Sequence, residues 1–132
     1  MGSWRTNLAL FLMRAMLGVV FMGHGSMKLF GAFGGDGMAS FTRTLAKLDI
    51  PYPEVAAWLA AGTEFLGGLA LILGLGVRWV CWPLVFTMLV ASFKAHPGAF
   101  FLHRGGMEFS LTLACMTAAL GLLGPGAWSV KR

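Results

Sequence analysis

Val55–Leu75 reads VAAWLAAGTEFLGGLALILGL, twenty-one residues with no proline and a single charge. That is the length an α-helix needs to cross about 30 Å of hydrocarbon. The charge, Glu64, falls near the middle. A charged side chain at that depth costs roughly 2.5–3.5 kcal/mol on insertion scales, so it must face protein and find a partner. On a helix, Ala57, Ala60, Ala61, Gly67 and Gly68 share its face. Small residues let neighbouring backbones approach closely in lipid. Trp58 and Leu69 lie on the opposite side. One face of this helix therefore packs, holds a carboxylate, and has to be answered by other helices.

The whole chain agrees with that reading. Its 132 residues make one domain, 58% hydrophobic and 11% charged, with a mean hydropathy of +0.77. Soluble domains carry about 25% charged residues. The net charge is +5, but the basic residues are scattered at helix ends. They match lipid headgroups, and with no basic stripe interleaved with aromatics, nucleic acid is not an expected partner. Cys81 and Cys115 both lie in apolar segments, without C-x-x-C or zinc spacing, and read as small hydrophobes. Arg14 interrupts the first apolar run and no A-x-A site follows it, so this run reads as a retained span.

Four spans are predicted, at about residues 7–25, 54–75, 79–95 and 107–123. If the first helix continues a turn past Gly25, then Arg14, Gly18, Phe21, Gly25 and Lys28 form one stripe. A glycine-rich bend follows, with Asp36 as a helix N-cap. Met38–Leu48 is amphipathic and too short to span, so it should lie along the interface. Pro51 and Pro53 stop it and start the second span. Pro83 is placed in the first turns of the third span, where proline is tolerated. Lys94 and His96 close that span before Pro97-Gly98. The expected fold is an all-α membrane protein: a four-transmembrane-helix bundle, with one short interfacial helix between spans 1 and 2. An even number of spans puts both termini on one side. Arg78 in the short turn between spans 2 and 3 argues for a cytoplasmic location.

Helix rise gives the depth of each charge. Arg14 precedes Gly25 by eleven residues, and Glu64 follows Glu54 by ten. On antiparallel helices both reach about 15 Å in, which predicts an Arg14–Glu64 pair. Such a pair is either a pin that fixes the bundle or part of a ligand or proton site. A second cluster gathers at the opposite mouth from the termini: His24, Lys28, Lys94, His96, His103 and Glu108. Glu108 is expected to pair Lys28 or Lys94. The cluster reads either as interfacial side chains reaching for headgroups or as an acid, base or anion site. The three histidines match no metal-binding spacing, and no metal is expected. Two further stripes, Pro83–Thr87–Ala91–Lys94 and Glu108–Thr112–Cys115–Ala119, are expected to face the bundle interior.

Taken in order, Arg14, then Gly25-x-x-Lys28-Leu29, Pro51-x-Pro53, Glu64-x-x-Gly67-Gly68, Gly105-Gly106-x-Glu108 and Gly124-Pro125-Gly126 resemble the DoxX family of small bacterial membrane proteins. The resemblance runs over about residues 8–130. It implies a four-helix bundle in the cytoplasmic (inner) membrane, with Arg14, Lys28, Glu64 and Glu108 at family-like positions. Some members are linked to quinone-dependent oxidation of thiosulfate or to thiol-oxidant defence complexes. By that resemblance the chain is expected to be the membrane subunit of a quinone-linked or thiol/sulfur-related redox system. It would work with protein partners in the membrane and with quinone as the candidate cofactor. The alternatives are a non-enzymatic assembly or chaperone-like partner and a small-solute or proton carrier. The chain departs from the family in ending Ser129-Val130-Lys131-Arg132, without the acidic residue often found there. It also lacks the thiol pair that a quinone–disulfide relay needs.

Overall fold

The computed structural model describes residues 3–95, 98, 100–101 and 106–130. Its helices are α1 (Trp4–Phe30), α2 (Gly37–Lys47), α3 (Pro53–Leu73), α4 (Val77–Val90) and α5 (Glu108–Leu123). A short 3₁₀ turn, Ala32–Gly34, follows α1, and a π-helical turn, Ala91–Ala95, extends α4. No strand occurs among the described residues.

Three segments are long and apolar enough to cross a membrane: Trp4–Phe30, Pro53–Leu73 and Val77–Lys94. α5 is apolar but has only 16 residues, about 24 Å of helix against about 30 Å of hydrocarbon. Where a fourth span was expected there is an apolar helix shorter than those three segments.

α1 starts at Ser3, whose hydroxyl accepts the Thr6 N–H at 3.3 Å. It runs five residues past its predicted end at Gly25 and stops where Gly31 turns left-handed, at φ 68°. Gly25 does not break it because the missing side chain is used for packing: a Cβ there would sit 2.6 Å from the Phe65 backbone nitrogen. α3 begins on Pro53, whose absent N–H costs a first helical turn nothing. Asp36 does occupy the N-cap position of α2, but its side chain makes no capping bond.

α1 lies along α3 and α4 along α5, and the two pairs meet over narrower seams. Small residues make the first contact: a Cβ on Gly68 would come 2.7 Å from the Gly18 carbonyl oxygen. The core is apolar, with Leu17, Phe21, Leu71, Leu84 and Leu120 at its centre. α2 lies across α3 and the end of α1, with Leu45 buried and Arg43 and Lys47 exposed. Exposed Trp4, Trp79 and Trp128 gather at the end that carries the termini, and exposed Phe30, Phe33 and Tyr52 at the other. Two such aromatic belts suit two membrane interfaces. The last residues fold back over the first helix: the Ala127 N–H donates to Asn7 Oδ1 at 3.0 Å, and the Trp128 and Phe11 rings lie 5.9 Å apart.

The two stripes expected to face the interior lie off the core: that of α5 is turned outward, and Pro83, Thr87, Ala91 and Lys94 of α4 line lateral spaces. On α5, Thr112, Cys115 and Ala119 are exposed, while Ser110, Leu113, Ala114, Thr117 and Leu120 are buried. On α4 the buried residues are Val77, Cys81, Leu84 and Met88. In lipid both faces of a helix meet an apolar medium, so polarity does not choose the buried face. Shape does: Leu84 fills the space over Gly67, and Gly121 receives Cys81 and Trp82.

Candidate functional site: a lateral groove ending at a buried ion pair

Glu64 is 1% exposed, on the α3 face formed by Ala57, Ala61, Gly67 and Gly68. Its partner is Lys28, whose Nζ donates to Glu64 Oε2. This corrects the expected Arg14–Glu64 pair. The depth arithmetic set the ends of α1 and α3 level, but Gly25 packs directly on the Phe65 backbone and α1 continues through Phe30. Lys28, three residues past Gly25 in the last turn of α1, is thereby within reach of Glu64. Arg14 is fourteen residues earlier on the same helix, about 21 Å away along the axis. Of the two partners offered for Glu108, Lys28 or Lys94, the first is bound to Glu64 instead.

Arg14 is 1% exposed and bonded to carbonyls instead. Nη1 donates to Leu71 O at 3.1 Å, and Nη2 donates to Trp128 O. Leu71 lies in the last turn of α3, where the helix dipole is negative and a cation is favoured. The guanidinium also sits 5.6 Å from the Phe11 ring centroid. Arg14 therefore ties the end of α3 to the C-terminal segment, and among the described residues no carboxylate pairs with it.

At the Lys28 end, α2, α3 and α4 leave a space between them. A groove of about 600 Å³ runs between α3 and α4, walled by Leu59, Thr63, Pro83 and Phe86, with Leu45 and Ile50 beside α2. Leu59 and Phe86 are 66% and 68% exposed, so the groove opens sideways, toward what the surrounding medium supplies. It adjoins a chamber of about 110 Å³ lined by Lys28, Phe41, Thr44, Thr87 and Lys94. Lys28 Nζ stands 4.8 Å from the Phe41 ring centroid, close enough for a cation–π contact. The Thr87 hydroxyl donates to Pro83 O at 2.9 Å and that of Thr44 to Ser40 O at 3.1 Å. Neither proton is then free for a guest, and the side-chain donors left to the chamber are the two ammonium groups.

The other expected site residues divide. Lys94 lines both spaces. His24 is half-buried and meets Phe109 of α5, ring centroids 5.6 Å apart, away from the chamber. Glu108 opens α5, its N–H bonded to Phe100 O at 2.8 Å. His96, His103 and Arg104 lie outside the described residues. No group of three His, Cys, Asp or Glu among the described residues is placed to hold a metal ion. Sequence reasoning missed Phe41, Thr44, Thr63 and Phe86. The amphipathic pattern of α2 placed that helix at an interface, but nothing in it said which helices it would cover.

With this geometry in hand, a model of the DoxX family matches residues 9–97, two thirds of the chain. The chain belongs to the DoxX family. The matched part of this DoxX protein contains Arg14, Lys28, Glu64, Lys94 and every residue named above for the groove and chamber. Glu108 and the two glycine motifs around α5 lie beyond it. No curated protein and no solved structure matches the chain.

Proposed function

We propose that this DoxX protein is the membrane subunit of a quinone-linked redox complex, and that the groove between α3 and α4 receives the quinone. One observation carries the reading: an apolar trough that opens sideways and adjoins a chamber lined by Lys28, whose ammonium pairs with buried Glu64, and by Lys94. A quinone has that shape, a long apolar chain on a ring whose oxygens accept hydrogen bonds. The volume suits a small-molecule site, which typically occupies about 300–1,000 Å³. Bound there, a quinone would supply two-electron, two-proton carrier chemistry. The chain's own contribution is to bind and orient. Leu59, Pro83 and Phe86 hold the apolar chain and exclude water. Lys28 and Lys94 offer donors to a ring oxygen. Glu64 accepts from Lys28 and so fixes that ammonium at the chamber wall. The electrons would pass to or from a partner protein.

In the same reading α5 completes a four-span bundle in the bacterial cytoplasmic membrane, with both termini in the cytoplasm. A cysteine probe at Ser129 should then label only from the cytoplasmic side. The decisive test is to purify the protein in native lipid and measure bound quinone by mass spectrometry. Wild type should retain quinone, and Thr63→Trp, which fills the groove, should lose it. A wild type free of quinone after extraction from quinone-rich membranes overturns the proposal. A second reading, a non-enzymatic assembly partner, is favoured by the outward stripe Thr112–Cys115–Ala119, since small residues suit close helix packing in lipid. It predicts a captured membrane partner whose binding survives Thr63→Trp and fails with Ala119→Leu.

A further inference from the structure

We infer that the chamber selects a guest with an anionic head, so that among quinones the preferred class carries an acidic ring hydroxyl, bound as its oxyanion. The inference rests on the quinone reading of the groove and concerns charge alone. Two ammonium groups line the chamber, Lys28 and Lys94. One carboxylate answers them, and it is committed to Lys28. Among the described residues no acidic side chain lines either the groove or the chamber. The chamber is therefore left with one positive charge in excess, held on Lys94.

Position makes that charge usable. Lys94 borders both spaces, so it stands where a ring leaves the chamber and its chain enters the groove. It sits in the π-helical turn Ala91–Ala95 at the end of α4, a distortion frequently found at functional sites. The threonine hydroxyls cannot compete for an oxyanion, because both donate within their own helices. A neutral ring oxygen would gain a hydrogen bond from the Lys94 ammonium. An oxyanion would gain that bond together with the attraction of opposite full charges, beside a largely apolar lining where such attraction is less screened than in water.

The test compares two probes of one shape, a 2-hydroxy-3-alkyl-1,4-naphthoquinone, ionised at neutral pH, and its 2-methoxy analogue, which cannot ionise. Binding is measured by tryptophan fluorescence quenching on the full chain in nanodiscs of neutral lipid. The hydroxy probe should bind roughly tenfold more tightly. Lys94→Gln should erase that preference, so that the two probes bind within about twofold of each other, and Lys94→Arg should keep it. Equal affinity of the two probes for wild type would overturn the inference and leave the groove reading standing. Failure of both probes to bind would overturn the groove reading itself. A preference that persists in Lys94→Gln would assign the selection elsewhere and also overturn the role given to Lys94.

Discussion

Replacing Lys28 with methionine removes the ammonium and keeps an aliphatic stem of similar reach. Glu64 then remains in place, its side chain 2% exposed, with no cation beside it. Truncating one partner of a buried pair typically costs about 3–5 kcal/mol, because the other charge is left desolvated and unanswered. The reverse change is gentler. Glu64→Leu strands a lysine whose side chain is 26% exposed and which lies in the last turn of its helix. That ammonium can turn toward the interface, so the loss should stay near the value of an exposed pair, about 1 kcal/mol. Replacing both, Lys28→Met with Glu64→Leu, swaps the ions for apolar groups and should lie close to wild type. Reversible unfolding in mixed micelles, followed by tryptophan fluorescence and helical circular dichroism, measures all four proteins. Equal losses from the two single changes, or a double variant carrying the sum of both, would refute the pairing.

Gly68→Ala should cost about 1–3 kcal/mol by overpacking, because its Cβ would meet the Gly18 carbonyl oxygen at 2.7 Å; Gly62→Ala, with nothing within 4 Å, should be neutral or slightly stabilising in the same unfolding assay. A membrane-permeant maleimide should modify exposed Cys115 and spare buried Cys81 in the folded protein, and Cys81→Ala with Cys115→Ala should retain quinone binding. Arg14→Met should release the C-terminal segment, read as faster hydrogen exchange at the Val130 N–H, which bonds Leu73 O at 3.0 Å, without moving the Lys28–Glu64 pair.

Helix number, order and approximate position were legible because apolar length and proline and glycine punctuation are local signals. The α1 stripe Arg14, Gly18, Phe21, Gly25 and Lys28 was legible too: the first four are buried and Lys28 half-buried. The same holds for the Ala/Gly face of α3 around Glu64. The partner of Glu64 was not, and the error came from the register of two helices. Depth arithmetic assumed that α1 and α3 have level ends, whereas Gly25 packs on Phe65, so Lys28 and not Arg14 comes within reach of Glu64. The inward face of α5 was misjudged for a different reason. Its polar and small residues were expected to turn inward, but with apolar surroundings on both sides polarity does not choose the buried face. On α4 the expected stripe does line the groove and chamber, while larger residues make the core face. The groove was invisible because it belongs to no helix: it exists only where α2 covers the seam between α3 and α4.

The most direct test of the groove is a photoactivatable azidoquinone, crosslinked in native membranes and mapped by peptide mass spectrometry. The account predicts adducts on α3 and α4 around Leu59, Thr63 and Phe86, competed by unlabelled quinone and absent in Thr63→Trp. Competable adducts confined to the outward face of α5 around Thr112 and Ala119, or no competable adduct at all, would contradict it.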